Sequence, residues 1–412
     1  MNVAGDQWRK FCHTLRNYGQ QLANKGLDHW IWVGILTTVG LILGQWIGHA
    51  QLWTDLRYKV YQLQTSMLSG EAFAKETLFV LIDDKDYWTG KPARRVPINR
   101  HYVAELLRAV DKMDPKVIAL DFDFRSPDPV GAMVEHPDYE CERDDLLHAI
   151  LDVAKNRPVV IPKELEIADG HPVEQSDIFR GFDFSSVQEN IYPGYIQLKQ
   201  DLRIIPSRVQ LHRDPDVSLD SFSLAVLHAA APATYEEILK ENRSDEVNLR
   251  FGKFLTKKDF DDLSVSASQV FSADRVAAAK LAHNIVIIGG KWHQRALGVG
   301  PWQDDHSTPT GHIIGAYVQG NYAEALRTGN WRPAWSERST VIMEIFIVLG
   351  ASIILALNVS VGWKIAATLV PAVVIMLLSY FLLQNLGLFF DFFTPLVIVS
   401  AHVVVEHLEW KG

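Results

Sequence analysis

The sequence predicts an α/β extracytoplasmic domain with a mainly parallel central sheet, tethered by four transmembrane α-helices, one N-terminal and three C-terminal. Three observations predict it. The 412-residue chain combines 22% charged residues with a mean hydropathy of +0.01, a mixture expected when a soluble domain is joined to apolar spans. The long uncharged apolar stretches lie towards the two ends of the chain. Residues 54–336, between them, hold continuous apolar runs of strand length that alternate with helix-period patterns, as parallel strands joined by helices do. A net charge of −9 without a long basic run argues against nucleic acid as a partner. Cys12 and Cys141 are the two cysteines and no CxxC occurs, so neither a disulfide framework nor a cysteine metal site is expected.

The first span is "WIWVGILTTVGLILGQWIGHAQLW", residues 30–53, free of formal charge and with Trp30, Trp32, Trp46 and Trp53 near its ends. A hydrocarbon core of about 30 Å needs about 20 helical residues, and tryptophan favours the interface. Gly48-His49-Ala50 resembles a cleavage site, but the long preceding tail and the length of the run, beyond a signal core of about 7–15 residues, favour an uncleaved anchor. Three further spans are expected at 340–357, 365–383 and 394–405. Their short links, "NVSVGWK" and "QNLGLFFDFF", make them antiparallel neighbours.

Arg9, Lys10, Arg16 and Lys25 lie in the N-terminal tail, Lys364 between the second and third spans and Lys411 at the end, whereas the link between the third and fourth spans has no Lys or Arg. Basic loops stay in the cytoplasm. The expected order is therefore a cytoplasmic tail (1–29), an anchor (30–53), an outer domain (54–336), three helices (337–408) and a second cytoplasmic tail (409–412). That describes a multi-pass protein of the cell inner membrane with a periplasmic or extracellular domain. Cys12 and Cys141 then fall on opposite sides of the membrane and should not pair.

Within the outer domain, "TLFVLIDDKD" opens with a five-residue apolar run, Leu78–Ile82, that suits a strand buried on both faces. In "PINRHYVAELLRAVDKM", Val103, Leu106, Leu107 and Val110 fall at i, i+3, i+4 and i+7 and mark one helix face. "KVIALDFDF" supplies a second strand, so the three elements read as a right-handed βαβ unit with a parallel strand pair. Two more buried strands are expected at 157–162 ("RPVVIP") and 284–290 ("NIVIIGG"). Helices are expected at "RDDLLHAILDVAKN", "SLDSFSLAVLHAA" and "HIIGAYVQGNYAEALRTG", and an additional strand at "NLRFGKF". The segment "KWHQRALGVGPWQDDHSTPT" reads as one long loop.

Ligands of open α/β sheets bind beyond the carboxyl ends of the parallel strands. Those ends carry Asp83 and Asp84, Asp121 and Asp123, and Gly289, Gly290 and Lys291. The loop that follows can bring Asp304, Asp305 and His306 over them. Glycines allow close backbone approach, and grouped carboxylates can bind a cation or accept hydrogen bonds from an amine or hydroxyl. Each aspartate alone is better read as a cap of the loop or helix after its strand, whereas for the cluster as a whole the two readings are even. Whether the cluster holds a metal stays open, and no cofactor is expected. "IALDFDF" has the Asp-x-Asp of a haloacid-dehalogenase-type phosphatase, with Lys291 and Asp304-Asp305 available as its lysine and acidic pair. Phe124-Arg125 follows where a small hydroxyl residue belongs, and an enzyme is not expected.

The ordered set of features resembles the CHASE type-2 family of bacterial sensory extracellular domains. The matching elements are "FVLIDDKD", the Pro97-x-x-Arg100 turn, the strand ending at Asp121, "DLRIIP" with Arg203 and Pro206, "IVIIGG", Thr308-Pro-x-Gly311 and "GAYVQGN" through Asn321, followed by three closely spaced spans. Tyr317 and Gln319 stand where that family usually has Glu and His. The resemblance implies sensing outside the cytoplasm, with the spans passing a conformational signal to a cytoplasmic output. Neither tail is long enough for a catalytic domain, so the expected function is that of a sensory or regulatory subunit. It would bind an unidentified ligand and act through a separate membrane or cytoplasmic output protein, with a homo-oligomer as an open possibility. The alternative is a structural or assembly protein of the envelope that binds a partner without signalling.

Overall fold

The computed structural model describes residues 76–333 apart from the segments 92–97, 125–138, 169–170, 176, 200–201, 212–217, 242–245, 250–254, 296–298 and 309. It also describes Thr38 and residues 59–61, 63–64 and 377–382. The chain divides into two compact units, Ser69–Ala334 and a second made of Met1–Leu68 with Trp335–Gly412. The described residues of the second unit are helical. The four expected spans lie almost wholly outside the described residues, as do both tails. Among the described residues no helix is long and apolar enough to cross a membrane.

The unit Ser69–Ala334 is built on an eight-stranded sheet. With strands numbered along the chain, the order across it is β11 (Ser264–Ser266), β1 (Thr77–Asp83), β12 (Ile285–Lys291), β2 (Val117–Asp121), β3 (Val159–Lys163), β6 (Ile191–Tyr195), β9 (Ser218–Ser221) and β8 (Arg208–Gln210). Every pairing is parallel except β8 with β9. The α/β class with a mainly parallel sheet is therefore what the chain adopts. Smaller pieces surround it. β4 (Leu165–Ala168) and β5 (His171–Glu174) form a hairpin, and β7 (Ile204–Pro206), β10 (Glu246–Leu249) and β17 (Trp331–Pro333) form a separate antiparallel sheet.

Two sequence expectations are corrected at the centre. β1 and β2 are not neighbours, because β12 lies between them and pairs with both. Ile285–Ile288 are at most 3% exposed, and so uniformly apolar a strand is best accommodated where both faces and both edges are covered. The segment after Lys291 is not one loop. It folds into two hairpins, β13 (His293–Arg295) with β14 (Val299–Trp302), and β15 (Asp305–Thr308) with β16 (Gly311–Ile314). The second closes because Thr308 Oγ1 donates to the Gly311 carbonyl (2.6 Å) and Gly311 takes φ +108°, which a side chain resists. The strand around Asn248 belongs to the small sheet, not to the central one.

The helices are α1 (Asp84–Thr89), α2 (Arg100–Asp111), α3 (Tyr139–Ala154), α4 (Phe222–Ala230), α5 (Pro232–Glu241), α6 (Lys257–Leu263), α7 (Ala267–Phe271), α8 (Arg275–Leu281) and α9 (Gly315–Arg327). The 3.6-residue pattern foreseen in α2 is its buried face, with Val103, Leu106, Leu107 and Val110 fully covered. α2 packs on α3, while α4 and α9 pack together on the other face of the sheet. α3 begins at Tyr139, ahead of the expected Arg143, and carries the exposed free thiol of Cys141. α9 begins at Gly315 because His312–Ile314 are spent in β16.

From Gly315 to Leu326 every residue of α9 is buried. Two close approaches seat it. A Cβ on Gly289 of β12 would stand 2.8 Å from the Ala316 Cβ, and a Cβ on Gly320 would collide with the edge of the Phe79 ring of β1. That ring cannot yield, since Phe260 and Tyr317 pack edge-on against it at centroid distances of 5.8 and 4.9 Å. Alanine at a helical position gains about 1 kcal/mol of propensity over glycine, and overpacking costs roughly 1–3 kcal/mol. Gly320→Ala is accordingly expected to lower stability, read as an earlier midpoint in chemical or thermal unfolding; an unchanged or later midpoint would contradict this seating.

Candidate functional site

A cavity of about 570 Å³ opens at the carboxyl ends of β12, β2, β3 and β6. β2 contributes Asp121 and the following Phe122 and Asp123; β12 contributes Gly290 and the following Trp292. Glu164 follows β3, and Ile196, Gln197 and Leu198 follow β6. Tyr87 of α1 and Ile98 add to the lining. Gln303, Asp304 and His306 come down from the hairpin region, and Gly315 and Gln319 are presented by α9.

Local structure explains why these side chains arrive there. Asp83 ends β1 and caps α1, accepting from the Asp86 N–H at 2.9 Å, and the short helix then directs Tyr87 inward. Tyr87 stacks on Trp292 with centroids 4.3 Å apart and planes 5° from parallel. The indole lies over Gly290, where a Cβ would collide with it, so the glycine that ends the apolar strand makes room for the aromatic wall. Asp84 holds the first hairpin in place: its carboxylate accepts from the His293 N–H (2.8 Å) and meets His293 Nδ1 at 2.6 Å.

Asp304 stands at the start of α9, with Oδ2 occupying the space a Cβ on Gly315 would need. The residue preceding that helix, Ile314, offers no side-chain cap, and the positive end of a helix favours a carboxylate. His306 Nε2 lies 2.7 Å from Asp304 Oδ1. Burial opposes charge on this imidazole, yet the bond to Asp304 and the fields of Asp304, Asp121 and Asp305 outweigh it and raise its pKa. Asp121 differs. Burial, and next the charge of Asp304, push its carboxyl up to about 8, against a smaller opposing effect of His306.

The expected strand-end residues thus divide. Asp121, Asp123, Gly290 and Asp304 line the cavity. Gly289 sits behind it, under Ala316 of α9. Asp83 and Asp84 act as the cap and the hairpin anchor just described. Lys291 turns to Asp261 (2.8 Å) and the Tyr317 hydroxyl (3.2 Å), and Asp305 Oδ2 pairs with His312 at 2.9 Å. Of the dehalogenase-type parts, Asp304 therefore stays beside Asp121, whereas Lys291 and Asp305 are engaged elsewhere. Among the described residues no cluster of three His, Cys, Asp or Glu is placed to hold a metal ion.

Sequence reasoning did not single out Tyr87, Trp292, Glu164 or Gln319 as cavity residues. Gln319 is tied on both sides, its Oε1 accepting from Ser223 Oγ (2.7 Å) and its Nε2 donating to the Ile196 carbonyl (3.0 Å). Tyr317 instead stacks on Phe260 at 4.3 Å. Arg100, from the Pro-x-x-Arg turn, is 1% exposed, covers the Tyr139 ring at 4.0 Å and faces Glu142 and Asp123.

The CHASE2 domain matches residues 34–357, well over half of the chain. The chain belongs to the CHASE2 family. CHASE2 domains are sensory, typically the extracytoplasmic, membrane-associated sensors of signalling proteins. No curated protein and no solved structure matches the chain.

In this CHASE2 domain, the proton on Asp121 is linked to stability. The folded pKa is raised, so the folded state keeps a proton that the unfolded chain releases near pH 4. The associated stability is complete below that pH and is lost as pH rises towards 8. Asp121→Asn should remove the loss, raising stability at pH 8 by roughly 1–3 kcal/mol and changing little at pH 4. Thermal unfolding of the full chain across that range checks it; equal effects at both pH values would show that Asp121 is ionised throughout.

Proposed function

We propose that the cavity is the stimulus-binding site of this CHASE2 sensor, and that its occupancy is passed through α9 to a separate output protein in or beneath the membrane. The observation that carries the reading is that α9 joins the cavity to both ends of the described domain. Its first two turns form cavity wall at Gly315 and Gln319. Near its other end, Glu324 is 1% exposed and accepts from the N–H groups of Glu76 (3.0 Å) and Thr77 (2.6 Å), where β1 begins. Arg327 pairs with Glu76 at 3.1 Å and with Glu324 at 2.9 Å. Asn330 N–H, donating to the Ala325 carbonyl at 2.8 Å, leads directly into β17. A buried helix is stiff along its axis, so a displacement at its first turn is felt where the chain enters and leaves the domain.

A stimulus must bind two states of the domain with different affinity in order to shift them. The contacts of α9 supply an element whose position can differ between such states.

Co-purification of the full-length protein from detergent should recover a stoichiometric partner with a catalytic cytoplasmic domain. Filling the cavity with Ile196→Trp should change that partner's activity at least severalfold while leaving the association intact. A partner without output activity, or one indifferent to the substitution, would favour the assembly role over sensing.

A further inference from the structure

We infer that the cavity takes a small organic cation, an amine or quaternary ammonium with an apolar body, set between the Tyr87–Trp292 wall and the Asp121 carboxyl group. This rests on the reading of the cavity as the stimulus site and adds the ligand's class.

The sign of the lining is the first argument. Among the described residues, Asp121, Asp123, Glu164 and Asp304 face the space, no Lys or Arg side chain does, and the basic group that does, His306, is held by Asp304. A low-dielectric cleft with carboxylates on several sides raises the local concentration of cations and repels phosphates and carboxylates. Arg100 faces Asp123 from outside the lining, and Lys163 is taken by Glu174 (2.8 Å) and Asp177 (2.9 Å), so neither neutralises Asp121.

The second argument is independent of the first. Asp121 is half-buried at the end of β2, and among the described residues its carboxyl group makes no hydrogen bond or ion pair. Polar groups withdrawn from water ordinarily have a partner. An ammonium in the cavity would supply that partner and stabilise the ionised carboxylate, with release of the proton that otherwise neutralises it.

The third argument concerns the ligand's body. The rest of the lining is largely aromatic and aliphatic, with Tyr87 stacked on Trp292 and with Ile98, Phe122 and Leu198. Aromatic faces attract organic cations and cover apolar carbon. The volume of about 570 Å³ falls within the range of roughly 300–1,000 Å³ usual for small-molecule sites. A bare divalent ion would leave most of that wall unused.

Tyramine, tyrosol and 4-hydroxyphenylacetate share one ring and differ in ending as amine, alcohol and acid. Calorimetry on the full-length protein in detergent at pH 7, with choline and putrescine added to the panel, separates the outcomes. Binding by the amine or choline is expected, with proton release revealed by buffers of different ionisation enthalpy. A loss of affinity of at least tenfold is expected in Asp121→Asn, and loss of binding in Ile196→Trp and Leu198→Trp. Equal binding of the alcohol or acid, abolished by the tryptophan variants, would overturn the cationic class and leave the sensor site standing. Amine binding that survives both tryptophan variants would overturn the site itself. Failure of every cation in the panel to bind would overturn the class.

Discussion

The close approach of α9 to β12 and β1 is the constraint on which the rest of the domain depends. It requires Gly289 and Gly320, because any Cβ at those positions meets Ala316 or the Phe79 ring. Once seated, the helix brings its first turn to the strand ends and its last turn to the residues where β1 starts. Its polar side chains then work as ties. Gln319 reaches α4 and the end of β6, the Asn321 Oδ1 accepts from the Leu255 N–H (3.0 Å), and the Tyr322 hydroxyl donates to the Leu202 carbonyl (2.7 Å). A polar group buried without a partner costs about 1–3 kcal/mol. These ties therefore fix the rotation of the helix about its axis as well as its depth.

Rotation matters because the cavity exists only where the first turn of α9 stops short of filling the space beyond β2. Gly315 has no side chain to occupy it, and the Asp304 carboxylate takes the adjoining volume instead. The helix start thereby acquires a negative group that complements its dipole, and Asp121 acquires a like-charged neighbour. The same placement that settles the end of the helix thus disfavours ionisation of Asp121. Local stability and an unusual carboxyl group arise from one arrangement.

Much of this was legible in the sequence because the signals were short-range. Leu78–Ile82 and Ile285–Ile288 read as strands buried on both faces, the α2 face repeated with helical period, and Asp121 and Gly290 ended apolar runs. The insertion of β12 between β1 and β2 was not legible, since apolar strands of similar composition do not announce their order in a sheet. The two hairpins after Lys291 were hidden because "DDHSTPTGHII" has little hydrophobic alternation, and Thr308 and Gly311 reveal their turn only through a side-chain bond and a positive φ. Tyr87 and Trp292 lie far apart in the chain, and their stacking depends on the bare surface of Gly290. Cavity residues assembled over such distances carry no local pattern.

The fates of Lys291 and Asp121 show how the site acquires its chemistry. Asp121 pairs with Gly289 and Lys291 with Asp83, so the two end adjacent strands two residues out of step. A lysine that near a buried carboxyl group would ordinarily pair with it. Here Tyr317, in the first turn of α9, offers its hydroxyl and its ring to Lys291, and Asp261 of α6 completes the capture. The ring itself is fixed by stacking on Phe260. Packing in the core thus withdraws Lys291 from the cavity. It leaves Asp121 beside Asp304 at a cavity with an aromatic wall, and the proposed preference for cations rests on that combination.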